Sequence, residues 1–325
     1  VPERAGDERI DHHHNQQLLI MSTVTNIGVT GKAGKPATLT GALGMLMRAT
    51  ALILFLGACD IVEAPYIEKH DDGGPVSDNP RKVLLLDLTG HTCKSCPKAH
   101  KTIEQLKELY GDRLAPVAFH MGYFAKPQST GKFTTDFRTP EGTVLESYFE
   151  CVSFPNGTVQ TLSNESLQPY ASWPAAVSEA ITGDSPVKIE ITPQYLPGLN
   201  ALVPKIKITA LETVTGPLKL AVYLVEDGIV DWQKDEDFDP MDIPDYVHNH
   251  VFRTSMCGVW GERVGNDDGM TKGYTVEPEY SKILDSAWNV GNCSLIAFVY
   301  HEDSKVVVQA EMRKAQGAGL KAISK

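Results

Sequence analysis

The chain has 325 residues, more than one domain usually holds, so two compact units with non-globular flanks are expected. Its 30 basic and 41 acidic side chains leave a net charge of -11, which repels phosphate backbones and argues against nucleic acid as a partner. Apolar residues at 42% and charged ones at 22% exclude both a disordered chain and a multi-span membrane protein.

In chain order, the first informative segment is the apolar run Ala49–Ala58, about half of the roughly 20 residues a membrane-spanning helix needs. It follows Arg48 and ends in Leu56-Gly57-Ala58-Cys59, the positive, hydrophobic and small-residue order of a secretory signal, and it resembles a lipobox. On that reading residues 1–58 are an upstream extension and a lipoprotein signal peptide, the extension being an over-extended frame ahead of Met45 or Met47. Cys59 is the lipidated first mature residue, and residues 59–80 are anchor and linker. Multiple acyl chains then hold the protein to a membrane that it does not span. The other reading makes 49–58 a buried strand or short helix and Cys59 an ordinary thiol; the polar stretch Asp71–Pro80 argues against it. His12, His13 and His14 are assigned no function, and Gly31–Lys35 lacks the spacing of a phosphate loop.

After the linker, Val83–Leu88 is a nearly continuous apolar run, the pattern of a strand buried on both faces. Cys93-Lys94-Ser95-Cys96 follows, and then Ala99, Ile103, Leu106 and Leu109 repeat at helical spacing until Gly111. Leu114–His120 supplies the next strand, parallel to the first. Strand, CxxC, helix and strand in this order resemble the thioredoxin fold. Asp87 stands where thioredoxins carry a buried acid, and Phe154-Pro155-Asn156-Gly157-Thr158 resembles their cis-proline loop. The chemistry that goes with such a dithiol needs a thiolate, which a helix N-terminus stabilises. Cys93 is then the nucleophile, Cys96 resolves the mixed disulfide, Asp87 accepts or relays its proton, and Pro155 presents backbone to an extended partner. Thr92 before the first cysteine and Pro97 after the second depart from the thioredoxin pattern. Pro97 fits as the first helical residue with Cys96 as cap, and either sulfur can be the exposed one. A CxxC can also hold a metal with His91, His100 or His120. With no second CxxC a structural zinc site is disfavoured, and copper sites of this kind usually have a spacing one residue longer. A structural disulfide in an exported domain is the main competing reading. Cys151 reads as a buried small hydrophobe, residues 122–138 as a long loop, Thr139–Phe149 and Trp173–Ile181 as helices, and Gly183–Pro186 as a boundary.

From Val187 the pattern changes to strands at 187–195, 205–212, 218–226, 251–259, 294–300 and 306–312, with no helical period among them. This count suggests an immunoglobulin-like β-sandwich over 187–315, followed by a flexible tail at 316–325. Cys257 and Cys293 are candidates for a disulfide across it. Glu226–Asp242 holds eight carboxylates and one lysine, which must be solvated or neutralised. Its Asp235, Asp237 and Asp239 alternate as calcium ligands can, but Pro240 replaces the glycine of a calcium loop, so a solvated acidic loop is the preferred reading. His248 and His250 would share a strand face and could bind a transition metal with a third ligand, but such a pair is more often surface or packing histidines; no metal ligand set and no cofactor is assigned.

The lipobox, Leu86–Gly90 ahead of CxxCP, Thr139–Gly142, Phe154–Gly157 and His248–Arg253 together resemble the Omp28-related outer-membrane lipoprotein family over about residues 59–315. The resemblance implies an α/β plus all-β chain: a thioredoxin-like domain at 81–183 and an immunoglobulin-like one at 187–315, anchored by lipid to the outer membrane of a bacterial cell envelope. The expected function is thiol-disulfide exchange or redox-dependent binding of a protein or peptide partner, through Cys93, Cys96, Asp87 and Pro155. The alternative is a non-enzymatic surface protein for adhesion or ligand binding, with the dithiol as a staple.

Overall fold

Residues 78–316 are described in the computed structural model; Cys59, the signal-like run before it, most of the linker and the tail from 317 lie outside the described residues. The architecture is mixed α/β with mostly strand.

The apolar run forms β1 (Val83–Thr89), buried at every position. A helix, α1 (Cys96–Tyr110), leads to β2 (Leu114–His120), which lies parallel to β1 in a register running from Val83↔Leu114 to Thr89↔His120. α1 begins one residue earlier than expected: Ser95 is the N-cap, Cys96 the first helical residue and Pro97 the second, where a missing amide hydrogen costs nothing. It ends at Gly111, whose φ of 59° suits a residue without a Cβ. The loop after β2 precedes α2 (Pro140–Phe149), where the Thr139 hydroxyl accepts from Gly142 N at 2.9 Å and Pro140 opens the first turn. β3 (Asn156–Val159) then runs antiparallel to β1, with Asp87 opposite Gly157, and α3 (Trp173–Ala180) follows. Ala99, Ile103 and Leu106 of α1 pack with Leu85, Leu114, Trp173 and Val177 in one core layer.

The later stretch contributes β4 (Val187–Thr192), β5 (Lys205–Ala210), β6 (Leu218–Glu226), β7 (Ile229–Lys234), β8 (Asp242–His248), β9 (Val251–Ser255), β10 (Cys293–His301) and β11 (Val307–Lys314). Six of these answer the expected strands. β7 and β8 were not expected; they form a hairpin paired only with itself, and it grows out of the acidic segment.

The two stretches share one nine-stranded sheet with the path β11-β10-β6-β9-β2-β1-β3, edged by Gln168–Pro169, and with Glu262–Val264 beside β6 off that path. The seam is β9 beside β2, where Ala118 N donates to His250 O at 2.8 Å and Val251 faces Ala118. β6 explains why the seam holds. Its Leu218, Leu220, Val222 and Leu224 enter a core with Ile189, Ile206 and Ile208, whereas Ala221, Tyr223 and Val225 enter another with Leu86, Leu88, Phe119 and Phe252. A strand buried on both faces commits one face to each core.

The Cys257–Cys293 pairing is corrected: both are free thiols. Cys257 Sγ lies against the Leu220 carbonyl, while Cys293 pairs with Glu226 at the far end of β6. Six residues of strand separate these points by roughly 20 Å, far beyond the reach of a disulfide. Burial pushes the Cys293 thiol up to about 12, so it is an inert core residue.

Candidate functional site

Cys93 and Cys96 are joined in a disulfide where the loop after β1 meets α1. Cys96 N donates to Cys93 O at 3.3 Å, closing the turn, and the Ser95 hydroxyl donates to the Phe154 carbonyl at 3.5 Å. The dithiol loop and the Phe154–Pro155 loop therefore lie side by side, and the peptide between Phe154 and Pro155 is cis. Asp87, on β1 behind the loop, is 0% exposed; neither carboxylate oxygen has a hydrogen-bond partner, and His100 Nε2 of α1 stands 3.4 Å away. His100 is itself fixed by Thr89 Oγ1 at 2.9 Å and by the Tyr246 hydroxyl at 2.7 Å on its other nitrogen. A cavity of about 400 Å³ between α1 and the β7–β8 hairpin has Asp87, His100, Glu104 and Tyr246 on its wall.

The sulfurs themselves are closed off: Cys93 is 2% exposed and Cys96 0%. The unexpected hairpin docks on the backbone of the dithiol loop. Lys234 N donates to His91 O at 2.8 Å, Glu236 N to Lys94 O at 2.9 Å, and the Gln233 side-chain amide to Cys93 O at 3.0 Å. Glu236 also meets Lys98 Nζ at 2.8 Å and Lys94 Nζ at 3.4 Å, partly exposed pairs that salt will screen.

This docking corrects the reading of Glu226–Asp242 as a solvated loop. Five of its eight carboxylates meet the protein's own cations: Glu236 with Lys94 and Lys98, Asp237 with Lys98, Asp242 with Lys132 and Lys234, Asp227 with Lys314, and Glu226 with Arg253 at 2.7 Å. His248 and His250 do not act together. His248 is buried at the end of β8, whereas His250 leaves the strand with φ 58° and places Nδ1 3.0 Å from Asp227 Oδ1. Cys151 is only half-buried, with its thiol donating to Ser153 O.

Sequence reasoning singled out His91 and His120 beside the dithiol and His248 beside His250, but it did not foresee that His91, His120 and His248 form one cluster. His91 of the dithiol loop, His120 at the end of β2 and His248 of β8 pack around Phe137, with 5.6 Å between the His120 and His248 ring centres. Neither ring nitrogen of His120 has a hydrogen-bond partner. Burial holds all three rings below the ordinary histidine value, His248 down to about 3. Among the described residues, no group of three or more metal-ligating side chains is placed to hold an ion.

The geometry defines a mostly β protein in which one sheet carries a covered CxxC disulfide. The family described as outer membrane protein Omp28 matches residues 143–317, more than half of the chain, and the chain belongs to that family. Its outer-membrane location comes with this membership, and among the described residues no helix is long and apolar enough to cross a membrane. The match begins after the dithiol, so membership alone says nothing of Cys93 and Cys96. HBP35 of Porphyromonas gingivalis shares the fold at 15% identity and a TM-score of 0.53, over 77% of this chain and 81% of that one. A domain of the outer membrane lipoprotein Omp28 from Porphyromonas gingivalis aligns at 18% identity and a TM-score of 0.28, over 40% of this chain and 88% of that one. No curated protein matches.

Proposed function

We propose that this protein is a lipid-anchored outer-membrane thiol-disulfide exchange protein, with a thioredoxin-like layer at 81–183 as the exchange module and an immunoglobulin-like layer at 187–315 as its support. The observation that carries the reading is the convergence of three elements: a CxxC disulfide at the start of α1, a fully buried acid on the strand behind it, and the Phe154–Pro155 loop against Ser95. In the reduced protein the Cys93 thiolate attacks a partner disulfide, forms a mixed disulfide and releases one partner thiolate. Cys96, its proton passed to Asp87, then attacks Cys93 Sγ; the Cys93–Cys96 bond forms and the second partner thiolate leaves, so two electrons pass to the partner. His100, on the cavity wall beside it, offers Asp87 an exit for that proton. Cys59, by lipobox resemblance, carries the anchor, and an extended segment of the partner pairs along the backbone near Pro155.

A second reading is favoured by the burial of both sulfurs: a non-enzymatic ligand-binding lipoprotein in which the disulfide is a staple. The two part in an insulin-reduction assay with the full chain. The exchange reading predicts dithiol-dependent turnover that Cys93→Ala reduces to background; equal rates in both proteins mark the disulfide as structural.

A further inference from the structure

The β7–β8 hairpin leaves the sheet at Asp227–Gly228 and returns at Asn249–His250. This neck is narrow: Gly228 has φ 72°, His250 has φ 58°, and Gly228 N donates to Asn249 Oδ1 at 2.9 Å. Beyond the neck the two strands pair only with each other. Polar contacts hold the tip on the dithiol loop, and near the neck His248 of β8 packs against His120 and Phe137. We infer that the hairpin is an acid-opened cover for the dithiol, with its own His248 and the His120 and His91 rings of the same cluster as the trigger. The inference rests on the exchange reading for its purpose, but its physics does not depend on that reading.

The sign follows from what each state allows. In the closed state the rings are withdrawn from water, and burial is the largest influence on each. The groups that face them do not offset it. His91 has Asp231 of β7 and Asp136 in its favour and Arg138 against it. His120 meets only further positive or titratable groups: His248, His100, His91 and Arg253 of β9. His248 has Asp231 in its favour against His100 and His91. Lifting the hairpin carries His248 away from Phe137 and from the ring of His120, opening that packing to water, where histidine titrates near 6.5. A ring whose value is depressed in the closed state leaves closure at full strength only above about 6.5, where it is neutral in both states. That strength is lost as pH falls below about 6.5 toward the depressed value. Between pH 7.5 and 5.5 the opening constant therefore rises about tenfold for each ring released, and about a hundredfold for His120 and His248 together.

The test is the rate at which a phosphine reduces Cys93–Cys96 in the full chain, divided by its rate with an exposed small-molecule disulfide at the same pH. The expected ratio rises ten- to a hundredfold from pH 7.5 to 5.5, with increased hydrogen exchange confined to residues 229–248. His120→Gln with His248→Gln, neutral at every pH, flattens the rise. A flat ratio in the wild type, or a rise that survives both substitutions, overturns the inference. Should the double variant not fold, imidazole titration of the wild type by NMR decides: the inference requires His120 and His248 to titrate below 6.5 in step with the accessibility of the disulfide, and titration at 6.5 overturns it. Acid opening without insulin reduction keeps the cover and removes the exchange function; insulin reduction without acid opening does the reverse.

Discussion

Replacing Gln233 with alanine is expected to speed phosphine reduction of the Cys93–Cys96 disulfide about 5- to 140-fold at neutral pH. Gln233 is buried on β7, and its amide nitrogen donates to Cys93 O at 3.0 Å and to Lys234 O at 2.9 Å, joining the hairpin to the loop that it covers. Alanine removes the donor while the carbonyls remain, and an orphaned buried polar group costs about 1 to 3 kcal/mol. That cost falls on the closed state alone, because in the open state water supplies the missing bonds. At 1.4 kcal/mol per factor of ten it becomes the stated range in the opening equilibrium. Raised salt should act in the same direction but more weakly, since the pairs of Glu236 with Lys94 and Lys98 are partly exposed. An unchanged reduction rate in Gln233→Ala means that the hairpin is not what shields the sulfurs.

Gly157→Ala is expected to be the most damaging small substitution near the site, at about 3 kcal/mol or more. Gly157 lies on β3 opposite Asp87, and a Cβ there would stand 2.1 Å from the Leu86 carbonyl oxygen and 2.8 Å from the Trp173 ring. Neither neighbour can give way, since one is backbone of the central strand and the other a fully buried side chain. β3 must shift, and with it Phe154 and Pro155, which precede it by only a few residues. For a chain of this size thermal unfolding should fall by roughly 6 to 12 °C, at 2 to 4 °C per kcal/mol. Unchanged melting in Gly157→Ala would show that β3 is free to move away from β1.

The sequence made the dithiol module legible because its elements carry their own signals. Val83–Leu88 is a continuous apolar run, α1 shows Ala99, Ile103 and Leu106 on one face, and Gly111 marks its end. β6 and β10 were legible for the same reason. The hairpin was not. β7 carries Asp231, Gln233 and Lys234 where a strand usually carries apolar residues, because the body that it covers is a loop offering carbonyl groups and lysines. A polar strand that answers a polar surface reads as a loop until its partner is known. The seam between β9 and β2 was hidden differently, since it pairs residues about 130 positions apart and hydrophobic period does not encode register at that range. The same gap misled the pairing of Cys257 with Cys293, which spacing permitted and the length of β6 forbids. The histidine cluster left only a faint trace, as His91, His120 and His248 each stand beside an element that the sequence did predict.

The most direct test of the account is to trap the attacking sulfur. The full chain carrying Cys96→Ser leaves Cys93 without its resolving partner. After incubation with a peptide disulfide at pH 5.5 and at pH 7.5, mass spectrometry should find a mixed disulfide on Cys93, formed faster at the lower pH once normalised to a free thiol. Adding Gln233→Ala should raise the yield at pH 7.5. No adduct on Cys93 at either pH, even with Gln233 replaced, would contradict the exchange function and leave the disulfide as a structural staple.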